Sequence, residues 1–269
     1  MDQKPENKRL LGYKWIDEPE QGFFLERLNR FACLVELNGE ATKVYLPNSG
    51  RLQELLRPGA QVVVERRRGH GKTHHDLLLI QTPQFPSGEA TWAALDSRLP
   101  PALFRWLVEN KRADSLAGAV VQATEPTVSH GRLDLLLSVK ERPVYVETKS
   151  VNLIDAAGIA RFPDAPTARG QRHLEALTEI KQSGLGATLA FIVVRGDAVG
   201  MAPFSERDPK FTQALQRASN ANVRIQAHCF EAGPTMLYRG SLSVNTDPEA
   251  FPGYWPPLPP SGVASHGDE

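Results

Sequence analysis

The stretch "VYVETKSV", residues 144–151, puts charge where a strand beside a core should carry none. Val144, Val146 and Val151 read as strand, yet Glu147 and Lys149 stand among them. The preceding "RLDLLLSV" also reads as strand, and "KERP", residues 140–143, is taken as the turn between the two. In that register Val139 faces Val144, Leu136 faces Glu147 and Asp134 faces Lys149. Side chains alternate along a strand. One face then carries Leu135, Leu137, Val139, Val144, Val146 and Thr148, and the other Asp134, Leu136, Ser138, Tyr145, Glu147 and Lys149. Opposed residues lie about 4.5–5.5 Å apart at Cβ and diagonal ones about 7–8 Å. Asp134 and Glu147 would thus form a diagonal pair able to share one cation, with Lys149 beside Asp134. A solvated cross-strand ion pair, worth about 0–1 kcal/mol, is the plainer reading of the same pattern. Against it stands the helix that follows, which should cover one face of the sheet and turn the polar face into a cleft wall.

Working toward the N-terminus, residues 1–22 are polar and read as a loose tail. From Phe23 the pattern is β-rich. "RFACLVELNGEATKVYL" sets Asn38-Gly39 between two apolar segments, a hairpin signal. In "PNSGRLQELLRPGAQVVVERR", Asn48 or Ser49 could cap a short helix carrying Leu52, Leu55 and Leu56, which Pro58-Gly59 would end. Gln61–Glu65 and "DLLLI" at 76–80 read as further strands, and short strands with one small helix suit a barrel over residues 23–82. "QTPQFPSGEA" is a boundary.

A mixed α/β domain follows over 90–246. "PALFRWLVENKRA" is a helix. "TARGQRHLEALTEIKQSG" is a helix capped by Thr167, with Leu174, Leu177 and Ile180 inward and Gly184 near its end. "ATLAFIVV" is a buried strand, "DPKFTQALQRASNAN" a helix with Pro209 in its first turn, and "VRIQAHCF" a strand. Residues 247–269, with "FPGYWPPLPP", read as a disordered proline-rich tail.

Bulk properties narrow the function little. The chain has 269 residues, with 31 basic and 31 acidic side chains, so net charge predicts no polyanion partner and local clusters must carry any such argument. Two cysteines, Cys33 and Cys229, indicate no disulfide framework. "MDQKPENKRL" lacks the apolar core of a secretory signal and "LAFIVV" is too short for a membrane span, so a cytoplasmic protein is expected. No G-x-G-x-x-G, P-loop or G-x-S-x-G string points to a small-molecule enzyme.

The strongest basic cluster is "ERRRGHGKTHH". Arg66, Arg67, Arg68 and Lys72 could track a phosphate backbone, or form a solvated hairpin tip. Zinc at His70, His74 and His75 lacks cysteine partners and is set aside. Arg27, Arg30, Asn48 and Arg51 are further candidates on the barrel, and Phe31 is read as core rather than as a base-stacking platform. Glu125 is a second-rank acid or an exposed carboxylate before Pro126. Gln171 and His173, with Arg169 ahead of them, either point into the site or lie on a solvated helix face. Arg132 either holds a phosphate or pairs with a neighbouring acid.

"ERLNRF", "LPNSGRLQELLRPG", "GRLDLLL", "VYVETKSVNL", "RFPDAPTARGQRHLEAL" and "VVRGDA" together resemble the sugar fermentation stimulation protein family. The resemblance spans about Phe23 to Phe230, and "FPDAPTARGQRHL" is its most specific block. It implies an N-terminal OB-like barrel, a restriction-endonuclease-like αβββαβ domain and DNA binding with little sequence specificity. It also implies a PD-(D/E)-x-K constellation of Asp134, Glu147 and Lys149, with Thr148 at the variable position. The chain departs from the family pattern at Tyr45, where a histidine is expected, and at Gly131-Arg132, where serine-arginine is usual. Two carboxylates and the Thr148 carbonyl would suit Mg²⁺ or Mn²⁺, and Lys149 would orient the attacking water or stabilise charge on the phosphate. The expected function is therefore a metal-dependent nuclease, or a DNA-binding regulator that keeps the fold without turnover.

Overall fold

A computed structural model describes residues 12–67, 73–83 and 90–247. Five strands close an N-terminal barrel: β2 (Pro19–Asn29), β3 (Ala32–Leu37), β4 (Glu40–Tyr45), β5 (Gln61–Arg66) and β6 (His75–Gln81). Their order is β4-β3-β2-β5-β6, and a parallel pairing of Tyr45 with Asp76 joins the ends. Asn38 and Gly39 adopt φ of 52° and 82°, the left-handed pair a tight hairpin requires. No helix forms at 50–56. Leu52 has φ 52° and Leu56 donates to its carbonyl as an isolated turn, which buries Leu52 and Leu55 in the barrel core without a helical run. A sixth strand, β7 (Trp92–Ala94), pairs with β6, so the barrel's sheet extends past the boundary expected at residue 82.

The larger sheet has the order β1-β18-β17-β15-β12-β11-β8. Its strands are β1 (Gly12–Lys14), β8 (Val120–Thr124), β11 (Leu135–Val139), β12 (Arg142–Val151), β15 (Gly186–Val193), β17 (Arg224–Glu231) and β18 (Thr235–Leu242). Strands β12, β15 and β17 run parallel, as helical crossovers demand. Part of the expected loose N-terminal tail is thus ordered: β1 lies on β18, Trp15 donates from Nε1 to Gly233 O at 2.6 Å, and β2 begins at Pro19. Three residues without alternation gave no strand signal. Residues 1–11 and the proline-rich segment 248–269 lie outside the described residues.

Helix α1 (Leu99–Glu109) covers one face of this sheet, with Leu103, Phe104 and Leu107 packed on Leu135, Leu137, Val146 and Ile192. Helices α2 (Ala168–Gln182) and α3 (Pro209–Asn220) cover the other, over Leu189, Phe191 and Val193. Thr167 caps α2 by accepting from Gly170 N, and Asp208 caps α3 by accepting from Phe211 N. A Cβ at Gly170 would stand 2.7 Å from Thr167 and 3.2 Å from Phe211, so glycine lets the two helix starts meet. Small accessory pairings complete the domain: β9 (Thr127–Val128) with β10 (Gly131–Arg132), and β13 (Leu153–Ile154) with β14 (Ile159–Phe162) and β16 (Gly200–Pro203). Among the described residues no helix is long and apolar enough to cross a membrane.

The hairpin of β11 and β12 turns more tightly than expected. Val139 pairs with Arg142 and Leu135 with Val146, leaving only Lys140 and Glu141 in the turn, at φ 51° and 63°. The register moves by two residues, so the faces keep their composition while each opposed pair changes. Neither turn residue is suited to the left-handed region, which costs about 1–2 kcal/mol per residue. Replacing Lys140-Glu141 with Asn-Gly should stabilise the protein by about 1 kcal/mol, seen as a higher denaturant midpoint with an unchanged m-value. An unchanged midpoint would refute this account of the turn.

Candidate functional site

Strand β12 turns Tyr145, Glu147 and Lys149 toward α2, and Val146 and Thr148 away from it. Glu147 is only 3% exposed. Its Oε1 accepts from Lys149 Nζ at 2.6 Å and contacts His173 Nδ1 at very short range. His173 Nε2 faces Arg169 Nε at 3.4 Å. A neutral ring protonated at Nδ1 satisfies both contacts, since Nδ1–H donates to Glu147 and Nε2 accepts from Arg169. Lys149 Nζ, 3.4 Å from the same Nδ1, is then a neighbour of the ring and a partner of Glu147.

Asp134 sits at a bend just before β11. Its N–H donates to Val146 O at 3.1 Å, and its Oδ2 accepts from Thr148 N at 2.7 Å and Thr148 Oγ1 at 2.5 Å. The tighter turn therefore brings Asp134 level with Val146 and Thr148, on either side of Glu147, and not beside Lys149. Thr148 acts through its N–H and hydroxyl as the clamp that fixes Asp134.

The two carboxylates differ in their protonation preference. Burial pushes the Asp134 carboxyl above the usual range, and repulsion from Glu147 adds to it, against the Thr148 hydrogen bonds. Burial also raises Glu147, but the Lys149 ammonium and the His173 contact outweigh it and hold the carboxyl below the usual range. Glu147 Oε2 is buried and has no hydrogen-bond partner. An ionised carboxylate oxygen left bare in a protein interior is costly. Two acidic side chains lining one cleft offer the hard-oxygen donor type that divalent cations prefer. Among the described residues no group of three or more His, Cys, Asp or Glu side chains is placed to hold a metal ion.

The site opens into a cleft of about 490 Å³ between barrel and sheet, lined among others by Asp134, Glu147, Lys149, Arg30, Asp164 and Arg169. Asp164 Oδ2 accepts from Arg51 N at 2.9 Å, tying the loop after β4 to the segment before α2. Asn48 is a structural post: Nδ2 donates to Leu95 O at 2.8 Å and Oδ1 accepts from Gly50 N. It lines the cleft and supports its rim.

Several other expected contacts fall elsewhere. Glu125 is exposed and pairs with Arg132 at 2.9 Å, and neither lines the cleft. Gln171 Nε2 lies 3.3 Å from Asp208 Oδ1 and joins the helix caps. His173, expected to touch nucleic acid, is buried against Glu147. Arg27 donates to the carbonyls of Asn29, Arg30, Gly50 and Arg51, which takes up four of its five N–H groups. Arg67 is held by Asp76 at 3.0 Å and by Thr73 Oγ1 at 3.2 Å. Arg66 is exposed, but it borders a groove shared with Asp17, Glu18, Glu65 and Asp76, a poor surface for a polyanion. Arg68 and Lys72 lie outside the described residues. Arg30, Arg51 and Arg169 remain exposed near the cleft. Phe31, read from sequence as core, is 42% exposed. Asp164 and Asp208 were missed; Asp164 stands in a segment dense in Pro, Gly and Thr, and Asp208 directly before Pro209 at a helix start, where a capping carboxylate belongs.

The chain is similar to known proteins over most of its length. The family model described as the sugar fermentation stimulation protein RE domain matches residues 98–236, and that of the SfsA N-terminal OB domain matches 25–91. The sugar fermentation stimulation protein homolog of Natranaerobius thermophilus is 39% identical over 88% of this chain and 98% of its own length. That of Pyrobaculum arsenaticum is 38% identical over 87% and 97%. The solved structure of Pyrococcus furiosus SfsA in complex with Ca²⁺ superposes with a TM-score of 0.79 at 31% identity, covering 87% of this chain and 99% of that one. An OB barrel joined to a restriction-endonuclease-like domain, matched by family models and by full-length relatives, places this chain in the sugar fermentation stimulation protein family.

Proposed function

We propose that the chain binds nucleic acid, DNA with little sequence preference foremost, and hydrolyses its phosphodiester bonds at Asp134, Glu147 and Lys149 with Mg²⁺ or Mn²⁺. The observation that carries this reading is the bare, buried Glu147 Oε2 beside Asp134 at the edge of an open cleft. The Ca²⁺ complex of the Pyrococcus furiosus relative supports a hard divalent cation in this family. Asp134, Glu147 and the Thr148 carbonyl would hold the cation, which when bound supplies a Lewis acid and lowers the pKa of coordinated water. The chain's own groups do the rest. His173 and Thr148 lock the two carboxylates in place. Lys149, held on Glu147, offers a point charge to the scissile phosphate or its water. Arg169 and Arg30, on opposite rims, suit the flanking phosphates. A binding protein without turnover is the second reading, favoured by Glu147 already being charge-balanced by Lys149.

Incubation of pure protein with single- and double-stranded DNA and RNA, with Mg²⁺ or Mn²⁺ or with chelator, separates the two. Cleavage is expected only with metal, and Glu147→Gln or Lys149→Ala should slow it by at least about 100-fold. No cut substrate, or variants as active as the parent, removes the catalytic reading and leaves the binding one.

The carboxylates also make a stability prediction independent of turnover. A carboxyl with a raised folded pKa costs stability when ionised, and the cost vanishes as pH falls through that value toward about 4. Without metal, Asp134→Asn should therefore raise Tm at pH 7–8, with the gain closing near pH 4 and below. Glu147 has the opposite sign. Its lowered value contributes stability above about pH 4.3 that is lost on further acidification, so Glu147→Gln should lower Tm at neutral pH. Added Mg²⁺ or Mn²⁺ should raise the Tm of the parent and not that of Asp134→Asn. A Tm of Asp134→Asn equal to the parent's, with or without metal, contradicts this assignment.

A further inference from the structure

We propose that the stacked rings of Phe31 and Tyr45, bracketed by Arg30 and Arg67, are a base-stacking platform for single-stranded nucleic acid on its way into the cleft. The proposal rests on the nucleic-acid reading above and adds the strand form of the ligand. The two rings lie 6.2 Å apart at 20° between planes. Arg30 stands over Phe31 at 5.3 Å and Arg67 over Tyr45 at 4.6 Å. Two aromatic faces between two guanidinium planes on a barrel surface form a ladder that accepts any base, because every base presents a π-face.

The two arginines differ in what holds them. Arg67 is fixed by Asp76 and Thr73, so its plane is a rigid end to the ladder. Arg30 is exposed, and its guanidinium contacts the Phe31 ring. A base can take its place over Phe31 while the guanidinium turns to the adjoining phosphate. An exposed phenylalanine on a rigid turn is otherwise a hydrophobic liability. The turn is rigid because Phe31 N donates to Asn29 Oδ1 at 2.9 Å and Phe31 O accepts from Leu46 N at 2.9 Å.

The platform is physically continuous with the cleft. Arg30 belongs to both, being a lining residue of the cleft as well as the first rung of the ladder. Arg27 donates to Asn29 O and Arg30 O on the ring-bearing turn and to Gly50 O and Arg51 O on the cleft rim. Arg51 N in turn donates to Asp164 of the other domain. A strand whose bases stack on the rings is thereby held at a fixed offset from Asp134 and Glu147. A duplex keeps its bases stacked on one another and cannot use the rings, so the ligand is single-stranded.

The test measures binding in chelator, where no cleavage occurs, so its failure is distinct from failure of the catalytic reading. Fluorescence anisotropy with labelled oligo-dT and oligo-U, and with a DNA duplex, is run on the full chain and on Phe31→Ala, Phe31→Leu, Phe31→Trp and Arg30→Ala. Phe31→Ala and Phe31→Leu should weaken both single strands by roughly 5- to 100-fold, with the salt slope unchanged. Phe31→Trp should restore binding, and duplex affinity should move by less than about twofold. Arg30→Ala should lower the single-strand salt slope by about 0.7. Quenching of 2-aminopurine in a single strand should be lost in Phe31→Leu, which keeps the apolar bulk without the ring. Parent-like binding by Phe31→Leu, or equal losses for single strand and duplex, overturns the proposal.

Discussion

Everything at the site depends on a carboxylate buried in the middle of a mixed sheet. Glu147 occupies a β12 position between β11 and β15, under α2, with almost no solvent contact. Such a group survives only if opposite charge and donors reach it. Lys149 arrives from the same strand two residues on, and His173 from the second turn of α2. The helix must therefore cross the sheet at a height set by that contact. Thr167 and Asp208 fix its start, and Gly170 lets α3 approach. Removing one of these supports would move the ring and leave the charge bare. Glu147 Oε2 keeps no hydrogen-bond partner even so.

The barrel contributes differently. Its own core is closed by Val35, Val44, Leu46, Val62 and Leu77, while Val63, Leu78 and Leu79 on the other side of its strands pack into the core of the neighbouring sheet. What it lends is a rim. Asn48, Gly50 and Arg51 stand across the cleft from Asp134, held by Leu95 O, by Arg27 and by Asp164. Arg27, which looked like a ligand contact, is used in building that rim. Arg27 alone satisfies four carbonyls, which in a loop would otherwise face partial burial unpaired.

The sequence made strands such as β2, β8 and β11 legible because their burial follows a period of two, others such as β15 because they are short continuous apolar runs, and the long helices because Thr167 and Pro209 mark their starts. It gave the two faces of β12 correctly, since a slip of two residues preserves parity. It did not give the register. Lys140-Glu141 lacks the Asn-Gly chemistry that would have announced a two-residue turn, whereas Asn38-Gly39 announced its own. The helix expected around Leu55 failed on a single left-handed residue, Leu52, which composition does not reveal. At the site, the acid pair and the lysine were readable from alternation. The roles of Arg27, Arg67 and Gln171 were not, because their partners are backbone carbonyls or acids distant in sequence. The Phe31 side chain was misjudged because a hairpin turn, and not strand parity, decides where it points.

Strand β1 precedes the barrel in sequence but is hydrogen-bonded to β18 of the larger sheet. The chain thus starts the host domain, leaves it to build the barrel, and returns through β7 and α1. Topologically the barrel is a guest inserted near the host's first strand, and two covalent tethers hold it where a tandem arrangement would have one. A second tether forbids free swivelling about a single linker. It also means that a fragment beginning at residue 98 would strip an edge strand from its sheet and bare the polar backbone of β18 to other chains.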